Sequence, residues 1–179
     1  SELLLSVTSS ISNIGFSLKN DSTNLSFIFL ILVIIGGSFF STSSGIRFLK
    51  IYSLFKYSIN EVLSYSRPKN IYINKHLFSK ESFKLDEIYK YFLTVIIFIL
   101  SLLFLAFLLT LNGIDFEISF KLSILTLMNT VNSSMYGLND FSFYDLQFFT
   151  KYYLIFFMII GRLELLTLLI ICKKFLFKS

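Results

Sequence analysis

The stretch that decides the fold of this chain is Phe92 to Leu111, with the sequence FLTVIIFILSLLFLAFLLTL. It holds 20 consecutive residues without a single charge. An α-helix of that length is roughly 30 Å long, which matches the thickness of the hydrocarbon core of a bilayer. We therefore predict that this stretch crosses a membrane as a helix.

The composition of the whole chain supports the same class. The mean hydropathy is +0.74, and 55% of the residues are hydrophobic while 15% are charged. Soluble domains are about a quarter charged. The one cysteine, Cys172, excludes an internal disulfide. We predict an all-α integral membrane protein that crosses the bilayer several times.

The distribution of charge predicts the orientation. The net charge of +5 does not indicate a nucleic-acid partner, because the basic residues concentrate in residues 46–90 and at the C-terminus. Short loops rich in Lys and Arg stay on the cytoplasmic side of a membrane. Residues 46–90 and the C-terminus are therefore expected in the cytoplasm. The other connections have few basic residues and are expected to face outward; their acidic residues are Asp21, Asp115, Glu117, Asp140 and Asp145.

The same order of segments occurs twice along the chain. A short apolar segment, Leu3 to Ile11 or Asp115 to Met128, precedes a polar stretch and then a long helix. Neither short segment is long enough to span a bilayer. A shift of 117 positions pairs Leu5 with Leu122 and Ser6 with Ser123. We interpret this pattern as an internal repeat.

A short helix followed by returning polar chain is typical of a re-entrant pore loop. Irregular backbone at membrane depth must be buried in protein or line a water-filled cavity. Its carbonyl oxygens can then replace the hydration shell of a cation. The alternative is that these stretches are ordinary loops. The candidate filter residues, including Gly15, where glycine permits unusual backbone angles, are Ser12, Asn13, Ile14, Gly15, Asn129, Thr130, Val131 and Asn132.

Arg162 lies inside an otherwise apolar run from Tyr152 to Ile171. A guanidinium at the centre of a membrane helix costs roughly 2.5–3.5 kcal/mol on insertion scales. It therefore forms either an electrostatic barrier beside a polar pathway or a structural ion pair with a neighbouring helix. Glu164 is a poor partner within the helix, because residues i and i+2 do not share a face.

An enzyme is not expected. The sequence holds no metal-ligand cluster, phosphate-binding loop or nucleophile triad. An intramembrane serine enzyme would need a histidine or aspartate near a serine within a span, and His76 lies in the cytoplasmic connection. No covalent cofactor is predicted.

Two runs resemble the TrkH/KtrB/HKT superfamily of potassium transporters, most of all its TrkH branch. Gly161 to Leu169, with the sequence GRLELLTLL, resembles the last membrane helix of that family. Gly36-Gly37 with the following Ser41 to Arg47 resembles its glycine-rich break and basic helix. Residues 12–16 and 129–132 resemble its third and fourth filter strands, and Arg67-Pro68 its cytoplasmic connection.

The resemblance implies a potassium-channel-like fold of four pore-loop repeats, each with an outer helix, a pore helix and an inner helix. Residues 1–63 would form the third repeat from its pore helix onward, 64–85 a cytoplasmic connection and 86–179 the fourth repeat. The transported ion would be K⁺. Arg162 would lie below the filter, and the gate would be an intramembrane loop that contains Gly36, Gly37, Ser41, Thr42, Ser43, Ser44 and Gly45.

The resemblance also implies partners and a location. Members of the family are homodimers in the bacterial inner membrane, and TrkH members have a cytosolic nucleotide-binding regulator, TrkA. The lipid bilayer and an N-terminal half with repeats one and two would complete the pathway, since the chain starts at Ser1 directly in apolar sequence. The alternative is a non-conducting fragment or accessory subunit that needs this half. Asn132 stands where the family usually has glycine.

Overall fold

The computed structural model describes residues 2–16, 25–35, 48–65, 85–130, 134–138, 142–144 and 146–162. All the regular structure within these ranges is helical, as the sequence predicts. The elements are α1 (Glu2–Ile11), α2 (Ser26–Ile35), α3 (Phe48–Ser64), α4 (Leu85–Leu111), α5 (Phe116–Met128), a 3₁₀ turn (Ser134–Tyr136) and α6 (Phe148–Arg162).

Helix α4 is the long helix that the chargeless stretch predicts. It has 27 residues, and among the described residues it is the one helix long and apolar enough to cross a membrane. Asp86 and Glu87 lie in its first turn, where negative charge is favourable against the helix dipole. One face buries Leu105 and Leu109, and the other exposes phenylalanine and leucine side chains. That exposed apolar face suits contact with lipid.

Helix α5 forms the centre of the core. It has 13 residues, which is too short to span a bilayer. Every residue from Leu122 to Met128 is buried. The helix packs against α4 on one side and α6 on the other, and it also contacts α2. A short helix that is buried on all sides of its second half depends on these neighbours for its stability.

Helix α2 connects the two halves of the described structure. It packs against α1, α5 and the 3₁₀ turn. Its side chains Phe29, Leu30 and Val33 are buried and belong to the same apolar cluster as the core of α5. The two short helices α1 and α5, which we call the half-length helices, are therefore both held by α2.

Residues 25–63, which include the predicted gating loop, contain two described helices. Helix α2 ends at Ile35, α3 begins at Phe48, and α3 packs against α4. The candidate gating residues Gly36, Gly37, Ser41, Thr42, Ser43, Ser44 and Gly45 lie outside the described residues. Their assignment stays a prediction.

Candidate functional site

Helix α1 ends in a left-handed residue. Asn13 has φ 58° and Gly15 has φ 78°. The backbone N–H of Asn13 donates to the carbonyl of Ser10 at 3.2 Å, and that of Ile14 donates to the carbonyl of Ser9 at 3.1 Å. This pairing of a left-handed residue with backward bonds is a Schellman-type helix end. It satisfies carbonyls that the helix would otherwise leave unpaired.

Helix α5 ends in the same way. Asn129 has φ 53° and ψ 36°. Its N–H donates to the carbonyl of Thr126 at 3.1 Å, and the N–H of Thr130 donates to the carbonyl of Leu125 at 3.0 Å. The two helix ends thus align Asn13 with Asn129. That alignment is one residue away from the shift of 117 found in the sequence, which pairs Ser12 with Asn129.

Both asparagine side chains bind the helix that follows in the chain. The Asn129 amide nitrogen donates to the carbonyl of Met158 on α6 at 2.9 Å. With its amide nitrogen turned toward α2, Asn13 donates to the carbonyl of Val33 at 3.2 Å and to that of Ser10 at 3.1 Å. Each half-length helix is therefore bonded at its C-terminal end to the backbone of a neighbouring helix.

A cavity of about 320 Å³ lies at the end of α5. Its polar lining comes from Thr126, Asn129, Thr130 and Arg162, and the rest of the lining is apolar. Arg162 is exposed, while Thr130 is buried and its hydroxyl has no hydrogen-bond partner among the described residues. The structure thus brings the start of the second candidate filter strand and the candidate barrier residue to one cavity.

Close packing of α5 on α6 sets the position of Arg162. Gly161 is buried, and a Cβ added there would overlap the carbonyl oxygen of Leu127 and lie 3.2 Å from its Cα. Small residues allow membrane helices to approach this closely. Met158, Gly161 and Arg162 lie within one turn of α6. The hydrogen bond from Asn129, the close approach to Leu127 and the guanidinium are therefore all located at the end of α5.

Most of the candidate filter residues lie within the part of the chain that the structure describes, and two lie outside it. Ser12, Asn13, Ile14 and Gly15 lie together after α1, beside a second cavity of about 480 Å³ that Ser12 and Ile14 help to line. Asn129 and Thr130 follow α5. Val131 and Asn132 lie outside the described residues. The assignment of these residues as a filter stays a prediction.

Sequence reasoning missed the segment from residue 134 to residue 138. Met135, Tyr136 and Leu138 are buried within a stretch that composition marks as polar. The Ser10 hydroxyl approaches the Met135 sulfur at 3.7 Å, so this segment contacts the end of α1. The sequence signal was the apolar set Met135, Tyr136 and Leu138 inside the polar stretch.

An ion pair on α5 lies close to this segment. The Lys121 ammonium donates to a Glu117 carboxylate oxygen at 2.6 Å. That hydrogen bond and the nearby positive charge lower the pKa of Glu117. The ammonium also lies close to Gly137, where an added Cβ would be 3.3 Å from it. Glu117 thus neutralises the charge of Lys121, whose side chain is largely buried beside the 3₁₀ turn.

No group of three or more His, Cys, Asp or Glu residues that could hold a metal ion occurs within the described ranges. The site is built instead from backbone turns, amides, hydroxyls and one guanidinium. Within the described residues, these features define a helical protein organised around two half-length helices, each of which ends in a left-handed residue.

Comparison with known proteins gives the family. The family model TrkH, described as cation transport protein, matches residues 2–178. The chain therefore belongs to the TrkH family of cation transport proteins, which are membrane transporters rather than enzymes. This confirms the resemblance seen in the sequence.

A solved structure shows the same fold. The chain is similar to the potassium transporter TrkH from Vibrio parahaemolyticus, with a TM-score of 0.82 and 24% sequence identity over 95% of this chain. The match covers 36% of that transporter, so the chain spans about a third of its length. None of the curated proteins compared with the chain matches it significantly.

Proposed function

We propose that this chain forms part of a potassium uptake pathway across the bacterial inner membrane. The observation that carries the proposal is the end of α5. A buried helix too short to span a bilayer ends in a left-handed residue, and Asn129 and Thr130 at that end line a cavity together with Arg162. This is the local geometry that a pore loop requires.

Backbone carbonyls after the two half-length helices would bind the ion. Residues Ser12 to Gly15 and Asn129 to Asn132 would form two of four filter walls, in which carbonyl oxygens replace the water around K⁺. The C-terminal ends of α1 and α5 carry partial negative charge, which favours a cation. Family membership and the likeness to a potassium transporter support this proposal.

Arg162 would form an electrostatic barrier beneath the filter, and residues 36–45 would form a movable constriction. If the guanidinium lies about 8 Å from the ion and the effective dielectric constant is about 20, it raises the energy of a monovalent cation by about 2 kcal/mol. That energy corresponds to a factor of about 30 in rate if passage over this barrier limits transport.

The pathway needs more than this chain. We propose that two further pore-loop repeats complete it within the bilayer, that the complete protein is a homodimer, and that a TrkA-like cytosolic protein regulates it. The second candidate function is a non-conducting accessory subunit. Because the chain covers 36% of the similar potassium transporter, we retain this alternative. It predicts that the chain binds a partner without changing cation uptake.

The experiment measures K⁺ and Na⁺ uptake into proteoliposomes that contain the complete protein. Arg162→Ala should raise K⁺ uptake, by up to about 30-fold, or change the preference for K⁺ over Na⁺. Lys151→Ala is the matched control, because it removes a positive charge near the start of the same helix, away from the cavity. Equal uptake and preference in the Arg162 variant and the wild type would contradict the barrier role.

A further inference from the structure

We propose that Asn13 and Asn129 are positioning residues that lock the two half-length helices to the helices that follow them and thereby aim the ion-binding carbonyls. The proposal rests on the proposed cation pathway. Neither side chain binds the ion. Each acts through the backbone that continues from it, because the next residues are Ile14 and Gly15 in one case and Thr130 in the other.

The left-handed backbone at Asn13 and Asn129 restricts which residue types are favourable there. A left-handed conformation is sterically unfavourable for most L-residues, and asparagine is several-fold enriched there. Glycine adopts it more easily still. Both helix ends nevertheless carry asparagine rather than glycine, although glycine is the usual residue at this position of a Schellman end. A side-chain function explains that choice better than the backbone angle alone.

The side-chain bonds supply this function. The Asn129 amide bonds the Met158 carbonyl on α6 at 2.9 Å. With its amide nitrogen turned toward α2, Asn13 donates to the Val33 carbonyl at 3.2 Å, and Val33 is completely buried. The acceptors belong to different helices, but the arrangement is the same: a left-handed asparagine at the end of a half-length helix reaches the backbone of the next helix. The same device thus occurs independently in both halves of the chain.

This geometry links the bonds to ion preference. Thr130 follows Asn129 directly and lines the cavity with Arg162. Any rotation of the end of α5 relative to α6 would move the carbonyls that follow and the distance from them to the guanidinium. Ion preference in a carbonyl filter depends on the number and arrangement of these oxygens. Loss of either amide bond should therefore reduce discrimination before it reduces the amount of folded protein.

Two substitutions at each position distinguish the role of the side-chain amide from that of the left-handed backbone angle. Asn13→Gly and Asn129→Gly keep a residue that adopts the left-handed angle freely but remove the amide. Asn13→Asp and Asn129→Asp keep the shape of the side chain but replace the N–H donor with a carboxylate oxygen. Asn112→Asp is the matched control, because the Asn112 amide also bonds a helix carbonyl, that of Leu108 at 2.8 Å. That bond lies within the end of α4 and joins no two helices.

The readouts are the ratio of K⁺ to Na⁺ uptake by the complete protein in proteoliposomes and its melting temperature in detergent. We expect the ratio to fall about fivefold in the Gly and Asp variants, which is the factor that one net hydrogen bond corresponds to. The Asn112 variant should keep the wild-type ratio. If an Asp variant does not accumulate, the Gly variant at that position is measured in its place.

Two results would overturn the proposal. One is a wild-type ratio in Gly or Asp variants that accumulate normally. The other is an equal fall in the Asn112 variant, since this would indicate general destabilisation. If the wild-type protein does not transport K⁺, the proposed function is wrong. The melting temperatures then test only whether the asparagine amides lock the half-length helices. Asp variants at positions 13 and 129 that melt below the Asn112 variant support helix locking, and equal melting refutes it.

Discussion

Replacement of Gly161 by alanine tests how tightly α5 is seated on α6. In the interior of a helix this change normally stabilises a protein by roughly 0.8–1 kcal/mol, because alanine has a higher helix propensity. Here the new Cβ would overlap the Leu127 carbonyl oxygen and lie 3.0 Å from its carbon. These atoms belong to the backbone of a buried helix, so no side-chain rotation can relieve the contact.

The expected effect of Gly161→Ala on stability therefore changes from stabilising to destabilising. Overpacking a filled interior costs typically 1–3 kcal/mol, and a clash with backbone places this site toward the upper end of that range. After the gain in propensity, the net loss is about 1–2 kcal/mol. For a domain of this size, 1 kcal/mol shifts the melting temperature by roughly 2–4 °C. We expect Gly161→Ala to melt about 2–8 °C below the wild type.

The assay is thermal unfolding of the purified protein in detergent, followed by circular dichroism. Ile155→Ala is the matched control, because Ile155 lies on the same helix and is 55% exposed. It should melt within about 2 °C of the wild type, as surface substitutions usually do. A Gly161→Ala protein that melts at or above the wild-type temperature would refute the close packing of α5 on α6. It would also remove the basis for placing Arg162 by that contact.

The remaining predictions concern the turn after α1 and the ion pair on α5. Gly15→Ala should abolish or strongly reduce K⁺ uptake, because its φ of 78° is unfavourable for alanine. Gly113→Ala is the control, because Gly113 has φ 85° and an added Cβ would lie in open space. It should lower stability without reducing K⁺ uptake, and an equal loss of uptake in both variants would contradict the role of Gly15. Glu117→Gln should lower the melting temperature at neutral pH. Because Lys121 lowers the pKa of Glu117, the pair stabilises the fold above the ordinary carboxyl pKa. The difference between variant and wild type should vanish as the pH falls through the lowered pKa, and a difference that persists in strong acid would contradict the pairing.

The long-range organisation was predictable because it depends on hydrophobic pattern. The chargeless run predicted α4, and segment length separated the half-length helices from a full span. Arg162 was identified as a candidate because a charge inside an apolar run is expensive wherever it lies. These inferences use only composition and length, which the sequence displays directly.

The details of the site were not predictable in the same way. Sequence similarity aligned Ser12 with Asn129, whereas the left-handed turns align Asn13 with Asn129. The register is determined by which residue adopts φ > 0, and the two asparagines follow segments of different sequence. The bonds to Val33 and Met158 depend on packing between helices and leave no local signal. The fit of Gly161 against Leu127 is likewise a property of two helices together.

The buried segment at residues 134–138 was hidden by its neighbours. Serine, asparagine and aspartate dominate the surrounding stretch, so its average polarity indicates a loop. Tyr136 and Met135 are nevertheless almost completely buried, because the fold returns this segment against α2. Averages over a stretch cannot reveal individual side chains that pack into a core formed by distant residues.

The most direct test of the pore-loop account is the structure of the complete protein in lipid nanodiscs, determined in K⁺ and again without it. The account predicts ion density at membrane depth between carbonyl oxygens of residues 12–15 and 129–132, with the Arg162 guanidinium on the cytoplasmic side of it. Density that disappears without K⁺ would support the assignment. Carbonyls of both segments that face bulk solvent, away from any shared channel, would contradict it.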